Sequence, residues 1–407
     1  MTIWDDAPAL PSKRDEPWHY VSVPSITRVP YEAVGGQGST DAHQRVAADL
    51  IGRLVADLDG PRVVTINGVI CEALSRSATQ SGLTWSGDPG VAAGLTGAGA
   101  AEPADGFEAL NRLHAPTVIA VAVDDGVVAD PIQVVHITIG EVPDGTGSPG
   151  AASPRTAVRV GAGSHATVIE TYLSGPGELL VNASTSVSVG EGATLHHHRI
   201  ELDDTATTHL GRTEFDLAAG SSLRSTSFTA GATLARAATL VRLAGEHATA
   251  EIDGLYLPTA GRHHDHLVTV DHASSHCNSS QRFKGVVSAG GRGSFTGHVV
   301  VRPGTVRTDA QQSNRSLLLD SSARSDTRPW LEILADDVRA SHGATVGRLD
   351  DDALFYLRSR GIPELTAREL LIDAFTGEIV EMVDQVEVRD HLRSVLPELG
   401  SHSGGTQ

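Results

Sequence analysis

Evenly spaced glycine turns constrain the fold of this chain more than any other feature. Four segments place a Gly turn between runs of alternating residues: "VRVGAGSHATVIE", "VSVGEGATLHHHRI", "FDLAAGSSLRSTSF" and "VRLAGEHATAEID". Their glycines at 161, 190, 220 and 245 are separated by 29, 30 and 25 residues. A strand–turn–strand unit repeated at this interval is typical of a solenoid, in which successive coils stack and bury an apolar interior. The pattern predicts a mainly β protein built on a parallel β-helix, with a large antiparallel sandwich as the alternative.

Helical patterns occur on either side of this β region. Before it, residues 40–60 have apolar side chains at helical spacing, and Asn67-Gly68 between apolar flanks indicates a β-hairpin. After it, Asp350 is a candidate N-cap and Gly361 a candidate C′ residue. We therefore expect an N-terminal helical or mixed region at 1–115, a β-helix core at 116–346, a C-terminal helical domain at 347–400 and a disordered tail at 401–407.

Charge and hydropathy exclude several classes of partner. Fifty acidic residues against 31 basic ones give a formal net charge of −19, which argues against nucleic acid and against an anionic membrane surface. The N-terminal segment lacks the apolar region of a signal peptide, and no apolar run approaches the roughly 20 residues of a membrane span. We expect a cytoplasmic protein whose partners are other proteins.

The scarcity of cysteine and lysine limits the chemistry available to the chain. Cys71 and Cys277 are the two cysteines, so the chain alone cannot supply four thiolates to a metal centre. Lys13 and Lys284 are the two lysines, and neither stands in the G-K-[ST] context of a P-loop. The chain is therefore expected to lack ATPase activity of its own.

Acidic residues near position 335 support a carbohydrate-active β-helix enzyme as an alternative function. Such a lyase or hydrolase needs paired carboxylates, and Glu332, Asp336 and Asp337 are the candidates. The competing interpretation is structural: the two aspartates cap a strand-to-helix junction and pair with Arg339. The 4% content of aromatic residues and the lack of a secretion signal count against sugar chemistry.

Histidine clusters raise the possibility of a metal site. His196 and His198 would share one face of a strand, and within the His263–His266 cluster so would His264 and His266. This spacing suits metal ligands, although structural or surface roles are the more common outcome for such clusters.

Three further stretches resemble one known family. They are "DHASSHCNSSQRFKGVVSAGGRGSFTGHVVV", "RTDAQQSNRSLLLDSSARSDTRPWLEILADDVRASHGATVGRLDDDALFYLRSRGI" and "ARELLIDAFTGEI", within about 271–380. They are similar to the SufB/SufD family of iron–sulfur cluster assembly scaffold proteins, and to its SufD branch more closely. The resemblance implies a right-handed parallel β-helix between helical ends. It also implies a non-catalytic subunit that pairs with a SufB-like chain and carries the ATPase SufC on its C-terminal helices.

Departures from the SufB pattern favour the SufD branch. SufB-like chains carry a Cys near the positions of Ser313 and Asn314, and Glu-His-Glu where this chain has Ser341-His342-Gly343. His342 remains while both acidic flanks are absent. In many SufD chains a Cys precedes this histidine by two residues, whereas here that residue is Ala340.

His342 is the single residue that we predict to touch metal. Neutral imidazole is a competent iron ligand, and the resemblance implies a transient iron–sulfur cluster shared across the SufB–SufD interface. The partner would supply the thiolates, and no cofactor is expected in the isolated chain. The alternative is a histidine that packs or forms hydrogen bonds at a strand-to-helix junction.

Two surfaces are predicted to bind partners. The C-terminal helices are expected to hold the ATPase through an apolar stripe that includes Leu370, Leu371, Ala374, Phe375 and Ile379. A cap on the solenoid is the other role open to them. The strand edge within about 295–345 is expected to pair with a SufB-like chain, or with a second copy to form a homodimer.

Overall fold

The computed structural model describes residues 2–5, 7–34, 39–96, 103–142 and 144–400. The tail predicted at 401–407 lies outside these described residues. The α-helices lie on either side of the main β region: α1 Val23–Thr27, α2 Asp41–Leu54, α3 Pro89–Thr96, α4 Gly106–His114, α5 Asp351–Ser359, α6 Glu364–Val380 and α7 Val386–Gly400.

The strands follow one another along most of the chain with short turns between them. In chain order they are β1 Glu32–Ala33, β2 Arg62–Ile66, β3 Val69–Ile70, β4 Leu83–Ser86, β5 Val118–Val123, β6 Ile132–Thr138, β7 Gly150–Ala152, β8 Arg155–Val160, β9 His165–Ser174, β10 Leu179–Val189, β11 Thr194–Asp203, β12 Thr208–Leu217, β13 Ser222–Gly231, β14 Leu234–Leu243, β15 Thr249–Tyr256, β16 His263–His272, β17 Asn278–Val287, β18 Arg292–Val301, β19 Thr308–Leu318, β20 Arg324–Ile333 and β21 Val338–Gly347.

These strands form a parallel β-solenoid of about seven turns. From β8 to β21 successive strands alternate between two sheets, so each coil contributes one strand to each sheet. Sheet A runs β4-β5-β8-β10-β12-β14-β16-β18-β20, and sheet B runs β3-β2-β6-β9-β11-β13-β15-β17-β19-β21. The coils pair in parallel and in continuous register, as where Leu180 lies opposite Thr208. The predicted parallel β-helix is confirmed, and the antiparallel sandwich is wrong because strands of neighbouring coils pair in parallel from β5 to β21.

The glycine interval that predicted the solenoid has a steric cause at the corners of the coils. A Cβ atom on Gly190 would lie 2.7 Å from the backbone nitrogen of Ala162 in the preceding coil. Gly220 has a φ of +63°, which disfavours residues with a side chain. The chain turns at the same corner in every coil, so a small residue or a residue with positive φ recurs there once per coil.

The N-terminal region extends the solenoid at its first coil. Helix α2 begins after the N-cap Thr40, whose side chain accepts a hydrogen bond from the His43 amide. It ends at Leu54 and does not continue through the segment 40–60, because the chain after Leu54 becomes extended and buries Leu58. The predicted hairpin is present between β2 and β3, and β2 also joins sheet B in parallel with β6.

The C-terminal helices cover the outer face of sheet B. The Asp350 carboxylate caps α5, and Gly361 ends that helical segment with a φ of +86°, as predicted. Val380 of α6 and Leu392 of α7 belong to the same buried cluster as Phe228, an outward-facing residue of β13. The helices therefore pack against the side of the solenoid and leave its last coil uncovered. No helix in the described part of the chain is long and apolar enough to cross a membrane.

Candidate functional site

His342 lies in β21, the last strand of sheet B, where it is exposed. Its register partner in β19 is Gln312, whose partner in β17 is Gln281. Gln281 is two residues from Phe283, which belongs to the interior cluster, so strand alternation places all three side chains on the inward-facing row. His342 is exposed because no further coil follows β21. We call β20 and β21 together the terminal coil.

Polar side chains line the interior beside His342. The Asn314 amide donates to Thr327 Oγ1 at 3.0 Å, and the Tyr256 hydroxyl donates to Asn314 Oδ1 at 3.3 Å. The Ser325 hydroxyl donates to Ser316 Oγ at 2.7 Å. Sequence reasoning missed this lining, because hydrophilic residues on a strand are usually assigned to the solvent-facing side. The open end of the solenoid therefore presents hydrogen-bonding groups to whatever covers it.

The two aspartates before His342 lie where the chain passes from β20 to β21. There the Asp337 carbonyl accepts a hydrogen bond from the Thr308 amide at 3.3 Å. Their expected position at a strand-to-helix junction is wrong, because β21 intervenes and the helical region begins only after Gly347. No ion pair joins Asp336 or Asp337 to Arg339 among the residues that the structure describes.

Glu332 lies apart from these aspartates on the outer face of β20. Its carboxylate is 3.5 Å from His298 Nε2, and His298 stacks on Trp330 with the ring centroids 3.9 Å apart. The acid thus belongs to a lateral surface cluster of sheet A. This arrangement does not supply the facing carboxylates that glycoside hydrolysis requires.

Both cysteines lie outside the terminal coil. Cys71 and Cys277 are buried and unpaired. The Cys277 thiol lies at a corner of the solenoid and donates to the Gly245 carbonyl at 3.3 Å. Burial raises the pKa of this thiol, which disfavours the thiolate that would bind iron. Imidazole is therefore the soft donor that this chain offers at its open end.

The other histidine clusters are engaged in the fold. His196 Nδ1 is 2.5 Å from an Asp384 carboxylate oxygen, and the His264 Nε2–H donates to a backbone carbonyl at 3.1 Å. Burial lowers the pKa of His198 and of His264 to about 3, so both rings are neutral. Among the described residues no group of three or more His, Cys, Asp or Glu side chains is arranged to hold a metal ion.

A groove of about 820 Å³ runs between α6 and the outer face of sheet B. The Lys284 ammonium donates to the Phe375 carbonyl at 2.8 Å and pairs with Glu378 at 2.7 Å. Residues 341–343 line the opposite part of the groove. The segment 341–343, whose His342 side chain lies on the inward-facing row, therefore also forms one wall of the groove beside the C-terminal helices.

Large apolar side chains are exposed on the helical hairpin formed by α5 and α6. Phe355 is 72% exposed and Leu365 is 76% exposed, and Tyr356 and Leu370 are also exposed. The predicted single stripe on α6 is wrong in part: Ile379 is buried, while Leu370 and Ala374 face solvent. The apolar residues of α6 divide between the sheet and the surface.

The family model for the SufBD core domain of SUF system FeS cluster assembly matches residues 144–375. This match spans more than half of the chain. The chain belongs to the SufB/SufD family. The matched segment includes most of the solenoid, the terminal coil with His342, and α5 with the first part of α6.

Relatives within the SufB/SufD family match along nearly the whole chain. The chain is 32% identical to the iron-sulfur cluster assembly protein SufD of Escherichia coli (strain K12), over 91% of this chain and 85% of the relative. It is 29% identical to a SufBD family protein of Synechocystis, over 94% and 86% of the two chains. It is 27% identical to the chloroplastic protein ABCI7 of Arabidopsis thaliana, over 94% and 81%. The predicted family resemblance is confirmed, and it now includes the N-terminal region.

Proposed function

We propose that this SufB/SufD family member is the SufD-like subunit of a SufBCD complex that assembles iron–sulfur clusters in the cytoplasm. The observation that carries the proposal is the placement of His342 on the inward-facing row of an open terminal coil, in a chain similar to SufD over 91% of its length. The cluster is the cargo of this complex. The subunit supplies a scaffold and one imidazole and has no catalytic cycle of its own. This role replaces the carbohydrate-active alternative, whose candidate acids do not converge.

The geometry of the terminal coil supports pairing with a second solenoid. Strands β20 and β21 each have one neighbour in their sheet, so one edge of each strand has unpaired backbone groups. A SufB-like β-helix could continue both sheets across this edge and cover His342. Thiolates from the partner would then meet the imidazole in a site screened from water.

The exposed helical hairpin supports docking of the SufC-like ATPase. Phe355 and Leu365 face solvent on adjacent helices, and apolar helix faces of this kind commonly enter a hydrophobic groove on a partner. Ile379 and Val380 at the end of α6 and Leu392 of α7 lie in the buried cluster on sheet B, so the hairpin is anchored to the scaffold that would hold the cluster. ATP-driven motion of the docked subunit could therefore reach the terminal coil.

His342→Ala tests the ligand role in the co-expressed complex. We expect normal subunit stoichiometry and normal thermal stability, with loss of the iron and sulfide retained after reconstitution. His19→Ala is a matched control, because His19 is also exposed but lies on the N-terminal arm. A variant that assembles fully and matures clusters at the wild-type rate would rule out the ligand role.

A further inference from the structure

Two histidines occupy a corner of the solenoid where earlier coils have glycine. Where the chain turns from sheet A to sheet B, one residue per coil has a positive φ and donates its amide to the carbonyl just before the equivalent residue of the next coil. In the earlier coils this residue is a glycine, with a φ of +63° at Gly163, Gly192 and Gly220. In the next two coils it is His247 and then His276, each with a φ of +61°. The sequence therefore changes from glycine to histidine at a fixed backbone position.

Packing inside the solenoid does not require a side chain at this corner. A Cβ atom on Gly163 or Gly192 would have no heavy atom beyond its chain neighbours within 4 Å, so a side chain at this position points away from the protein. Accordingly, His247 is exposed and His276 is half-buried. Positive φ is unfavourable for residues with a Cβ atom, and such residues are concentrated at binding and active sites. The two histidines therefore accept a backbone cost without filling space in the core, which points to a role at the surface.

The two imidazoles lie together and have no internal polar partner. Their ring centroids are 4.7 Å apart, and the ring planes differ by 17°. Among the described residues neither ring takes part in a hydrogen bond or an ion pair, in contrast to His196 and His264. A neutral imidazole has one nitrogen that accepts, so each ring offers a lone pair to solvent.

We propose that His247 and His276 form a two-histidine site for a divalent transition-metal ion. Imidazole is the commonest protein ligand for such ions. A metal–nitrogen bond of about 2.1 Å allows one ion to join two nitrogens up to about 4 Å apart. A rotation of the two surface side chains out of their stack brings one nitrogen of each ring within that span. The formal net charge of −19 also favours cations at the surface of this chain.

Two protein ligands leave the other coordination positions of the ion to water. Structural zinc sites are closed by four protein ligands, whereas an ion held by two exchanges readily, as suits an ion that is passed on. The identity of the ion rests on the proposed function: a subunit that supports iron–sulfur cluster assembly would bind ferrous iron here, for which imidazole is a suitable ligand. The corner is separate from His342, which lies on the inward-facing row of the terminal coil.

Calorimetric titration of the full-length chain with Zn²⁺ tests the site without redox chemistry. We expect a bound Zn²⁺ that is lost in His247→Gly and equally in His276→Gly, with no further loss in the double variant, because chelation needs both rings. Glycine is favoured at a φ of +61°, so neither substitution should lower the melting temperature. Arg307→Gly is the matched control, because Arg307 has a φ of +55° at the same corner of the next coil and offers no metal ligand.

The same titration of His342→Ala should still show the site. A wild-type chain that binds Zn²⁺ no better than the double variant overturns the proposal. Losses that add up in the double variant also overturn it, because they show two independent rings. Loss of binding in Arg307→Gly does the same, because it shows that the corner backbone and not the imidazoles decides the result.

The supply of iron is measured separately, as the rate of cluster formation by the co-expressed complex under anaerobic conditions. At limiting Fe²⁺ His276→Gly should be slower than wild type, and excess Fe²⁺ should restore the wild-type rate. His342→Ala should stay defective at both concentrations. A wild-type rate for His276→Gly at limiting Fe²⁺ overturns the iron-supply role alone. Normal cluster formation in His342→Ala refutes the ligand role in the proposed function, while the Zn²⁺ titration still decides whether the corner site exists.

Discussion

At the scale of single residues, the most unusual feature is a charged network inside the solenoid. Arg199 pairs with Glu201 at 2.6 Å and lies over the Tyr172 ring at 4.2 Å, and His197 contacts Glu170 at 3.0 Å. Burial alone would raise the pKa of Glu170, but the hydrogen bond from His197 and the nearby Arg199 charge hold that pKa at about 2. The carboxylates therefore remain ionised, and each depends on its buried partner.

Removing the central cation should destabilise the fold strongly. Arg199→Met would leave buried carboxylates without their counter-charge, and breaking a buried ion pair in this way costs about 3–5 kcal/mol. Chemical denaturation of the full-length chain would measure this loss. Arg242→Met is the matched control, because Arg242 is 61% exposed and 3.8 Å from Asp216, a kind of pair worth at most about 1 kcal/mol. Equal losses in the two variants would contradict this account of the network.

Buried histidines should make the protein sensitive to mild acid. Burial lowers the pKa to about 4 for His136, His266 and His272, and to about 3 for His198 and His264. Their folded-state pKa values lie below the unfolded value near 6.5, so the unfolded chain binds more protons in this range. Stability is therefore complete above about pH 6.5 and is lost as the pH falls from there towards about 4.

Urea unfolding at about pH 7.5 and about pH 5 would measure this acid sensitivity. His264→Gln should reduce the pH dependence by up to about 1.4 kcal/mol per pH unit, the contribution of one titrating group. His19→Gln removes an exposed histidine and should leave the dependence unchanged. A wild-type stability that is flat between the two pH values would contradict the prediction.

At the scale of elements, the C-terminal helices have two faces with different roles. One face completes the buried cluster on sheet B through residues such as Ile379 and Val388. The other face leaves Phe355 and Leu365 in solvent. Truncation at Gly361 would remove α6 and α7 and so expose the apolar surface of the sheet, while α5 with Phe355 would remain. Substitutions on the exposed face are therefore the sharper test of docking.

Phe355→Asp and Leu365→Asp should each reduce co-purification of the SufC-like ATPase at least tenfold. Placing a carboxylate in an apolar contact leaves a charge desolvated without a partner. Both residues are exposed in this chain, so the melting temperature should stay close to the wild-type value. Val128→Asp is the matched control, because Val128 is 71% exposed but lies between β5 and β6 in the first coils. Undiminished ATPase binding by both helix variants would exclude this surface.

At the scale of the whole molecule, the open edge of the terminal coil sets how the protein assembles. The Thr308 amide of β19 donates to the Asp337 carbonyl just before β21. Along a strand of a parallel sheet, residues whose backbone N–H and C=O groups bond one neighbouring strand alternate with residues whose groups point to the other side. By this alternation the backbone groups of Thr345 bond β19. Those of Ala344 point to the free edge, where a partner strand would pair.

Ala344→Pro should therefore disrupt pairing with a SufB-like chain while preserving the internal ladder, because proline removes an N–H that is unpaired in this chain. Size-exclusion chromatography of the co-expressed subunits should show loss of the heterodimer with an unchanged melting temperature. Thr345→Pro is the matched control and should lower the stability of the chain itself, since it removes a bond to β19. If Ala344→Pro and wild type elute at the same volume from the co-expressed sample, edge pairing is contradicted. The same comparison on singly expressed protein tests whether this edge pairs two copies into a homodimer.

Much of this architecture could be predicted from local sequence. The corner glycines, the Asn67-Gly68 turn, the Asp350 cap and the left-handed Gly361 are imposed by backbone sterics and by hydrogen bonding over a few residues. A coil that repeats the same corner must repeat the same small residues. For this reason the parallel solenoid and its flanking helices were accessible from spacing alone.

Only the tertiary structure decided what faces the interior and where the solenoid ends. The alternation of side chains along β21 defines two faces of the strand. The register with β19 then determines that His342 and Gln312 lie on the same, inward-facing row. The same register moved Asp336 and Asp337 from an expected helix junction to a passage between strands. Inward polar residues and outward polar residues look alike in sequence, because their difference lies in contacts between residues about one coil apart. The sequence determined that the chain coils, and the stacking of the coils determined which side chains meet at its open end.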